Sequence, residues 1–101
     1  MLDELLAQYD RWLKAEKNLS QTSRSVYVEC NRLFLTDINK HPSEIVREDI
    51  IDWRLMKLEE ESYSPNTLNK YIAAIKSMAR FLYQKRLIDA NTFLDVTNIS
   101  T

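Results

Sequence analysis

An all-α bundle of four helices is the fold class predicted for this chain, and three observations predict it. There is no glycine and only two prolines in 101 residues, so the tight hairpin turns that lean on glycine have no residue to build them. The sequence is rich in Leu, Lys, Glu, Arg and Ala, which lose least on entering a helix. Apolar residues recur at three- and four-residue spacing in four separate stretches, each with a turn-forming segment after it. At this length and 45% hydrophobic content, the chain makes one compact domain.

In the first stretch Leu2, Leu5, Leu6, Tyr9, Trp12 and Leu13 share one face of a helix over 2–17. Asn18-Leu19-Ser20-Gln21-Thr22-Ser23 interrupts it with short polar side chains that cap the next helix, which starts near Ser20. Its stripe is Val26, Tyr27, Cys30, Leu33, Phe34 and Ile38, and Asn39-Lys40-His41-Pro42 stops it, with His41 as a turn residue. For the third helix Ser43 is a possible cap, but Glu48 and Asp49 place the regular start nearer Val46. Its apolar face is Ile50, Ile51, Trp53, Leu55, Met56 and Leu58, and Glu59-Glu60-Glu61 ends it in solvent. The fourth helix has the strongest signal: Ser64 is a capping hydroxyl directly before Pro65, a residue suited to the first helical position. Leu68, Tyr71, Ile72, Ile75, Met78, Ala79 and Leu82 line it, and it closes around Lys85-Arg86. Residues 91–96 have the composition of a short fifth turn. Trp12, Trp53 and Cys30 are expected in the core or at its rim.

Several classes of function are disfavoured. No apolar run approaches the ~20 residues that span a bilayer, and the start of the chain lacks the basic residues of a signal peptide. A cytoplasmic protein with no membrane partner is expected. One cysteine and one histidine form neither an internal disulfide nor a structural zinc site. Without glycine there is no phosphate-cradling loop and no nucleophile elbow, and no nucleophile–base pair is evident, so neither a catalytic residue nor a cofactor is assigned.

The net charge of −1 hides a segregation: residues 44–61 carry net −4, whereas residues 62–88 carry Lys70, Lys76, Arg80, Lys85 and Arg86 with no acid. Opposite the apolar stripe of the fourth helix lie Asn66, Asn69, Lys70, Ala73, Lys76, Ser77 and Arg80, at spacings of three and four. Lys and Arg meet phosphates, Asn reaches base edges, and small residues allow close approach to a groove. A merely solvated lysine face is the commoner explanation of such a pattern, but it usually mixes signs to gain i,i+4 pairs. A second cluster, Ser20 to Ser25 around Arg24, places hydroxyls and a guanidinium at a helix N-terminus, which suits phosphate and equally suits ordinary capping.

These residues carry a resemblance. Leu19-Ser20 followed by a helix with Tyr27 and Phe34, then Glu48-Asp49-Ile50, then Ser64-Pro65-Asn66-Thr67-Leu68-Asn69-Lys70, resembles the core-binding domain of tyrosine recombinases, the phage-integrase family. The similarity spans roughly residues 2–95. Its most specific part runs from Asn69-Lys70-Tyr71-Ile72 through Lys76-Ser77-Met78-Ala79-Arg80-Phe81-Leu82 to the turn Leu87-Ile88-Asp89. The resemblance implies a SAM-like orthogonal bundle of four helices over 1–96. It also implies that residues 97–101 lead toward a catalytic domain absent from this chain, which is therefore not itself an enzyme. The family's nucleophilic tyrosine, two arginines, lysine and histidines would lie there, since His41-Pro42-Ser43-Glu44 does not give its His-x-x-Arg spacing.

Further, it implies a bacterial or phage-derived chain whose partners are double-stranded DNA, the catalytic domain of the parent recombinase and other protomers. Helices two and four would grip a core half-site, with Thr22, Ser23 and Tyr27 from one and Asn66, Thr67, Asn69, Lys70 and Lys76 from the other. Arg24 and Arg80 join them from the charge pattern. The sequence departs from the family at Ser25 and Val28, where basic residues are frequent, at Val46, where a capping Thr is common, and at Ala90-Asn91-Thr92, which replaces an Asn-Pro exit. The rival expectation is a SAM-like protein-interaction or self-association module, in which acidic helix three meets basic helix four of another copy.

Overall fold

The computed structural model describes residues 2–88. It contains α1 (Leu2–Ala15), α2 (Gln21–Ile38), α3 (Arg47–Glu59) and α4 (Pro65–Gln84), with a short 3-10 turn at Pro42–Glu44 between α2 and α3. No strand occurs among the described residues, so the expected all-α bundle is the architecture found. The expected fifth turn over 91–96 and the tail at 97–101 lie outside the described residues.

Caps define the helix starts. Ser20 accepts a hydrogen bond from the Ser23 backbone N–H at 3.3 Å, and Ser64 accepts from that of Thr67 at 3.2 Å with Pro65 in the first turn, as their spacing predicts. Ser43 caps no α-helix; it sits in the 3-10 turn, where its N–H donates to His41 Nδ1 at 3.2 Å. Val46 occupies the cap position of α3 and offers no acceptor, so Asp49 reaches back and accepts from the Val46 N–H at 3.0 Å. That is half of a capping box.

The helix ends show how a chain without glycine turns corners. Asn18, Asn39, Ser62 and Arg86 have φ of 53°, 53°, 57° and 58°. Each follows one of the four helices in the left-handed region that glycine ordinarily fills. Asparagine tolerates that region through its short side chain, whereas Ser62 and Arg86 carry more of the Cβ penalty. The first helix accordingly stops at Ala15, short of the expected residue 17, because the chain needs Asn18 to turn.

Helix α4 is the hub. Leu68, Ile72, Ala74, Ile75, Met78, Ala79, Phe81 and Leu82 are all fully buried, a wider arc than the predicted stripe. Three helices surround it. Helix α1 applies Leu6, Tyr9, Trp12 and Leu13, with Phe81 5.4 Å from the Tyr9 ring and 5.6 Å from the Trp12 ring. Helix α2 applies Phe34 and Leu35, and α3 applies Ile50 and Trp53. The Trp53 ring lies 5.3 Å from Phe34 and 5.5 Å from Tyr71, so one indole joins three helices. Both tryptophans are core residues, as expected, and Cys30 is buried, which pushes its thiol pKa up.

Two stripes are narrower than predicted. Val26 on α2 is 46% exposed, and on α3 Ile51 and Leu55 are 40% and 52% exposed. Their helical spacing fits an apolar face, but α2 turns Asn31 and Leu35 inward instead, and α3 turns Lys57 inward. Lys57 and the Asn31 amide nitrogen find partners, while the buried Asn31 Oδ1 has none among the described residues. The Asn31 amide donates to the Ala74 carbonyl of α4 and to the Tyr27 carbonyl, each at 3.0 Å, while the Tyr9 hydroxyl donates to Ser77 Oγ at 2.9 Å. Lys57 pairs with Asp37 at 2.9 Å and Glu61 at 2.7 Å and lies 5.6 Å from the Trp53 ring centroid and 5.4 Å from that of Tyr63. Trp53 Nε1 also donates to Asp37 at 3.0 Å. Glu59, Glu60 and Glu61 are exposed as expected, and Glu61 in addition pairs with the buried Lys57.

This cluster sets a pH dependence. Burial works against the charge of Asp37, but its hydrogen bonds from Lys57 and Trp53 prevail and hold the carboxyl below the usual range. Asp49 is lowered in the same way by Val46 N–H and Lys40, again against desolvation. Desolvation also opposes the Lys57 charge, and Glu61 and Asp37 outweigh it, raising the ammonium. The lowered carboxyls stabilise the fold above about pH 4, and that contribution disappears as pH falls through their folded values. The raised lysine stabilises below about pH 10 and is lost as pH rises through its own. Urea midpoints should therefore be level from about pH 5 to 9 and fall below about pH 4, and Asp37→Asn should flatten the acid limb. In separate melts Ser62→Gly should raise stability by about 0.5–1 kcal/mol by relieving the left-handed serine.

Candidate nucleic-acid interface

With most of α4 buried, one strip of it stays in water. Asn66, Thr67, Lys70, Ala73 and Arg80 are exposed, and Asn69 and Lys76 are half-buried. The strip contains no carboxylate, and among the described residues Lys70, Lys76 and Arg80 make no ion pair, whereas Arg24, Arg32, Lys40 and Lys57 each do. Ser77, predicted on this face as a small residue permitting close approach, is instead buried at 8% exposure under the Tyr9 hydroxyl. Ala73 remains as the small exposed residue in the middle of the strip.

Helices α2 and α4 run in opposite senses, because Tyr27 and Leu19 lie beside Ala73, Lys76 and Arg80, while Asn31 meets Ala74. The N-terminus of α2 therefore approaches the C-terminal half of α4. Asn66 and Arg80 are separated by fourteen residues of helix, ~21 Å of rise. The candidate residues fall into two groups as a result. Tyr27 lines one cleft with Lys76 and Arg80 at one end, while Asn66, Thr67, Asn69 and Lys70 occupy the N-terminal end of α4; Thr22 and Ser23 do not line that cleft.

The individual side chains differ in freedom. Thr22 and Ser23 are exposed in the first turn of α2, where the N–H groups of the opening residues lack intrahelical carbonyls. Thr67 Oγ1 accepts from Ser64 Oγ at 3.0 Å and so shares in the cap of α4. Tyr27 is half-buried and packs against the core with its ring. Arg24 is already engaged: its Nε donates to Asp10 at 3.0 Å, Nη1 donates to the Leu19 carbonyl at 2.9 Å, and its side chain is 14% exposed. It ties α2 to α1 and orders the turn beneath Ser20.

Between these elements opens a cleft of about 450 Å³, with Trp12, Leu13 and Ser77 toward the core, Leu19, Tyr27 and Ala73 on its walls, and Lys17, Lys76 and Arg80. Lys17 was not among the residues singled out in the sequence. It lies just beyond α1, and nothing in its neighbourhood along the chain sets it apart from Lys14; only the closure of the α1–α2 turn brings it opposite α4. Its Nζ stands 5.3 Å from the centroid of the Trp12 ring. Among the described residues no group of three or more His, Cys, Asp or Glu is placed to hold a metal ion, and no helix is long and apolar enough to cross a membrane.

Comparison with known proteins agrees with this architecture. The family model for the phage integrase N-terminal SAM-like domain matches residues 6–86. The tyrosine recombinase XerC of Syntrophus aciditrophicus (strain SB) is 26% identical over 100 residues, covering 89% of this chain and 32% of that protein. The chain thus spans about a third of the length of this curated relative. No solved structure gives a significant match. Since the family model covers all four helices but the first turn of α1, and the fold is the all-α bundle the resemblance implied, the chain belongs to the phage integrase N-terminal SAM-like domain family.

Proposed function

We propose that this chain is the DNA-binding module of a site-specific tyrosine recombinase, gripping a core half-site of double-stranded DNA through α2 and α4. The observation that carries this reading is the acid-free strip on α4, whose lysines and arginine form no ion pair among the described residues and of which Lys76 and Arg80 line a cleft with Tyr27 of α2. Exposed cations free of internal partners are the groups that can exchange condensed counterions for phosphates. Lys70, Lys76 and Arg80 meet the backbone, and Asn66 and Asn69 on the same strip reach base edges in the major groove. Thr22 and Ser23 hold an adjacent phosphate at the α2 terminus, with Tyr27 at the rim, and Thr67 backs the cap beside Asn66. Arg24 acts as a positioning residue that fixes the α1–α2 turn.

Strand cleavage and rejoining belong to the catalytic domain of the parent recombinase, and other protomers complete the recombining assembly. The relative named above is a tyrosine recombinase three times this length, which supports that division of labour.

A second reading, self-association in which acidic α3 meets basic α4 of another copy, is favoured by the segregation of charge between residues 44–61 and 62–88. It requires concentration-dependent sedimentation without DNA that vanishes at high salt.

Titrating isotope-labelled protein with a generic duplex at low salt separates the two. Amide shifts over 20–25 and 66–80 that fade as salt rises are expected; shifts confined to α3, or none, would refute the DNA reading. By anisotropy, Lys76→Ala should weaken every duplex alike and reduce the log–log salt slope by about 0.9. Asn69→Ala should cost about 1–3 kcal/mol, mainly on a duplex selected from a randomised pool. Equal losses on all sequences would remove Asn69 from base recognition.

A further inference from the structure

The cleft between α1, α2 and α4 has a property that the strip alone does not. Its three charged lining residues, Lys17, Lys76 and Arg80, come from two separate parts of the chain, and no carboxylate lines it. Two neighbouring clefts contrast with it: one sets Glu4 against Lys40, and another sets Asp3, Asp10 and Glu29 against Arg32. Converging like charges repel one another, and an arrangement that brings three together without an internal counterion favours an external anion. The aromatic floor adds shape. Trp12 is held by its Nε1 donating to Gln84 at 3.0 Å, and Lys17 stands over that ring, so the ammonium is placed by a packed indole rather than by a free tether.

We infer that this cleft seats a backbone phosphate of duplex DNA, with Lys17 as a DNA-binding residue supplied from outside α2 and α4. The inference rests on the DNA-binding reading above and extends it to a third element. Lys76 and Arg80 approach the phosphate from α4, and Lys17 closes on it from the α1–α2 turn. The contact carries no base information, because an ammonium on a phosphate oxygen is indifferent to sequence. Its role is to fix the angle at which α4 enters the groove.

The test compares Lys17→Gln, Lys17→Arg, Lys14→Gln and Lys76→Gln with the unmodified chain, using a generic duplex and anisotropy across a salt series, with a thermal melt confirming that each variant is folded. Lys14 is exposed on α1 and does not line the cleft, so it controls for net charge. Lys17→Gln should weaken binding several-fold at low salt on every duplex and reduce the log–log salt slope by about 0.9, with Lys17→Arg close to the unmodified chain and Lys14→Gln within about twofold of it. Unchanged binding by Lys17→Gln alongside weakened Lys76→Gln overturns the phosphate seat and leaves the DNA reading intact. Equal losses for Lys14→Gln and Lys17→Gln also overturn it, since net charge alone would then account for the effect. If the unmodified chain binds no duplex at low salt, the DNA reading fails and the seat fails with it.

Discussion

Helix α4 has to be buried around most of its circumference and yet keep one strip in water, and the rest of the structure is arranged around that constraint. A helix buried so widely has no room for charge except on the remaining strip, so its cations are forced onto a single line. Its neighbours come close because the border positions are small: Ala74 lets α2 and Ser77 lets α1 approach the backbone. Two polar groups at that border are matched across helices, and Asn31 Oδ1 is left without a partner among the described residues. Asn31 donates to the Ala74 carbonyl and Tyr9 to Ser77 Oγ, so the buried amide nitrogen and phenol find partners on α4. The same two bonds fix the register of α1 and α2 against the hub, and with it which residues face the cleft.

Electrostatics set α4 apart by its lack of acids. Elsewhere acids and bases are mixed, and four cations are engaged by carboxylates: Arg24 by Asp10, Arg32 by Asp3, Lys40 by Asp49, and Lys57 by Asp37 and Glu61. The most buried of these, Lys57, is enclosed by two carboxylates and two aromatic rings, which offsets the cost of removing an ammonium from water. It joins α3 to the end of α2 and to the turn before α4. The exposed pairs contribute little to stability individually and are weakened by salt. On α4 the cations have no such partners, so the field of that strip extends into solvent, where a phosphate backbone would meet it.

Much of this was legible in the residues. Helical spacing with few competing signals places all four helices, and hydroxyls at Ser20 and Ser64 mark two starts because a cap is a local interaction. The missing acid on α4 was visible for a similar reason, since charge along one helix maps directly onto its faces. The resemblance carried by the Asn69 to Leu82 stretch pointed to the family. Less was visible where partners come from distant segments. Nothing along α2 or α3 distinguishes Asn31 or Lys57 from solvent-facing residues, and nothing marks Ile51 and Leu55 as exposed, because each outcome depends on which neighbour covers that face.

The sequence by itself determined that this protein is an all-α bundle, where two of its helices are capped, and that its fourth helix carries cations and no acid. These follow from interactions within a few residues, namely capping, helical periodicity and local charge. Only the tertiary structure decided that Arg24 is engaged with Asp10, that Ser77 lies beneath Tyr9, and that Lys17 stands opposite Lys76 and Arg80. The physical reason is that a side chain's freedom to meet a ligand depends on what else lies within its reach. For these residues that is settled by segments up to about seventy positions away, brought together when three helices close on α4.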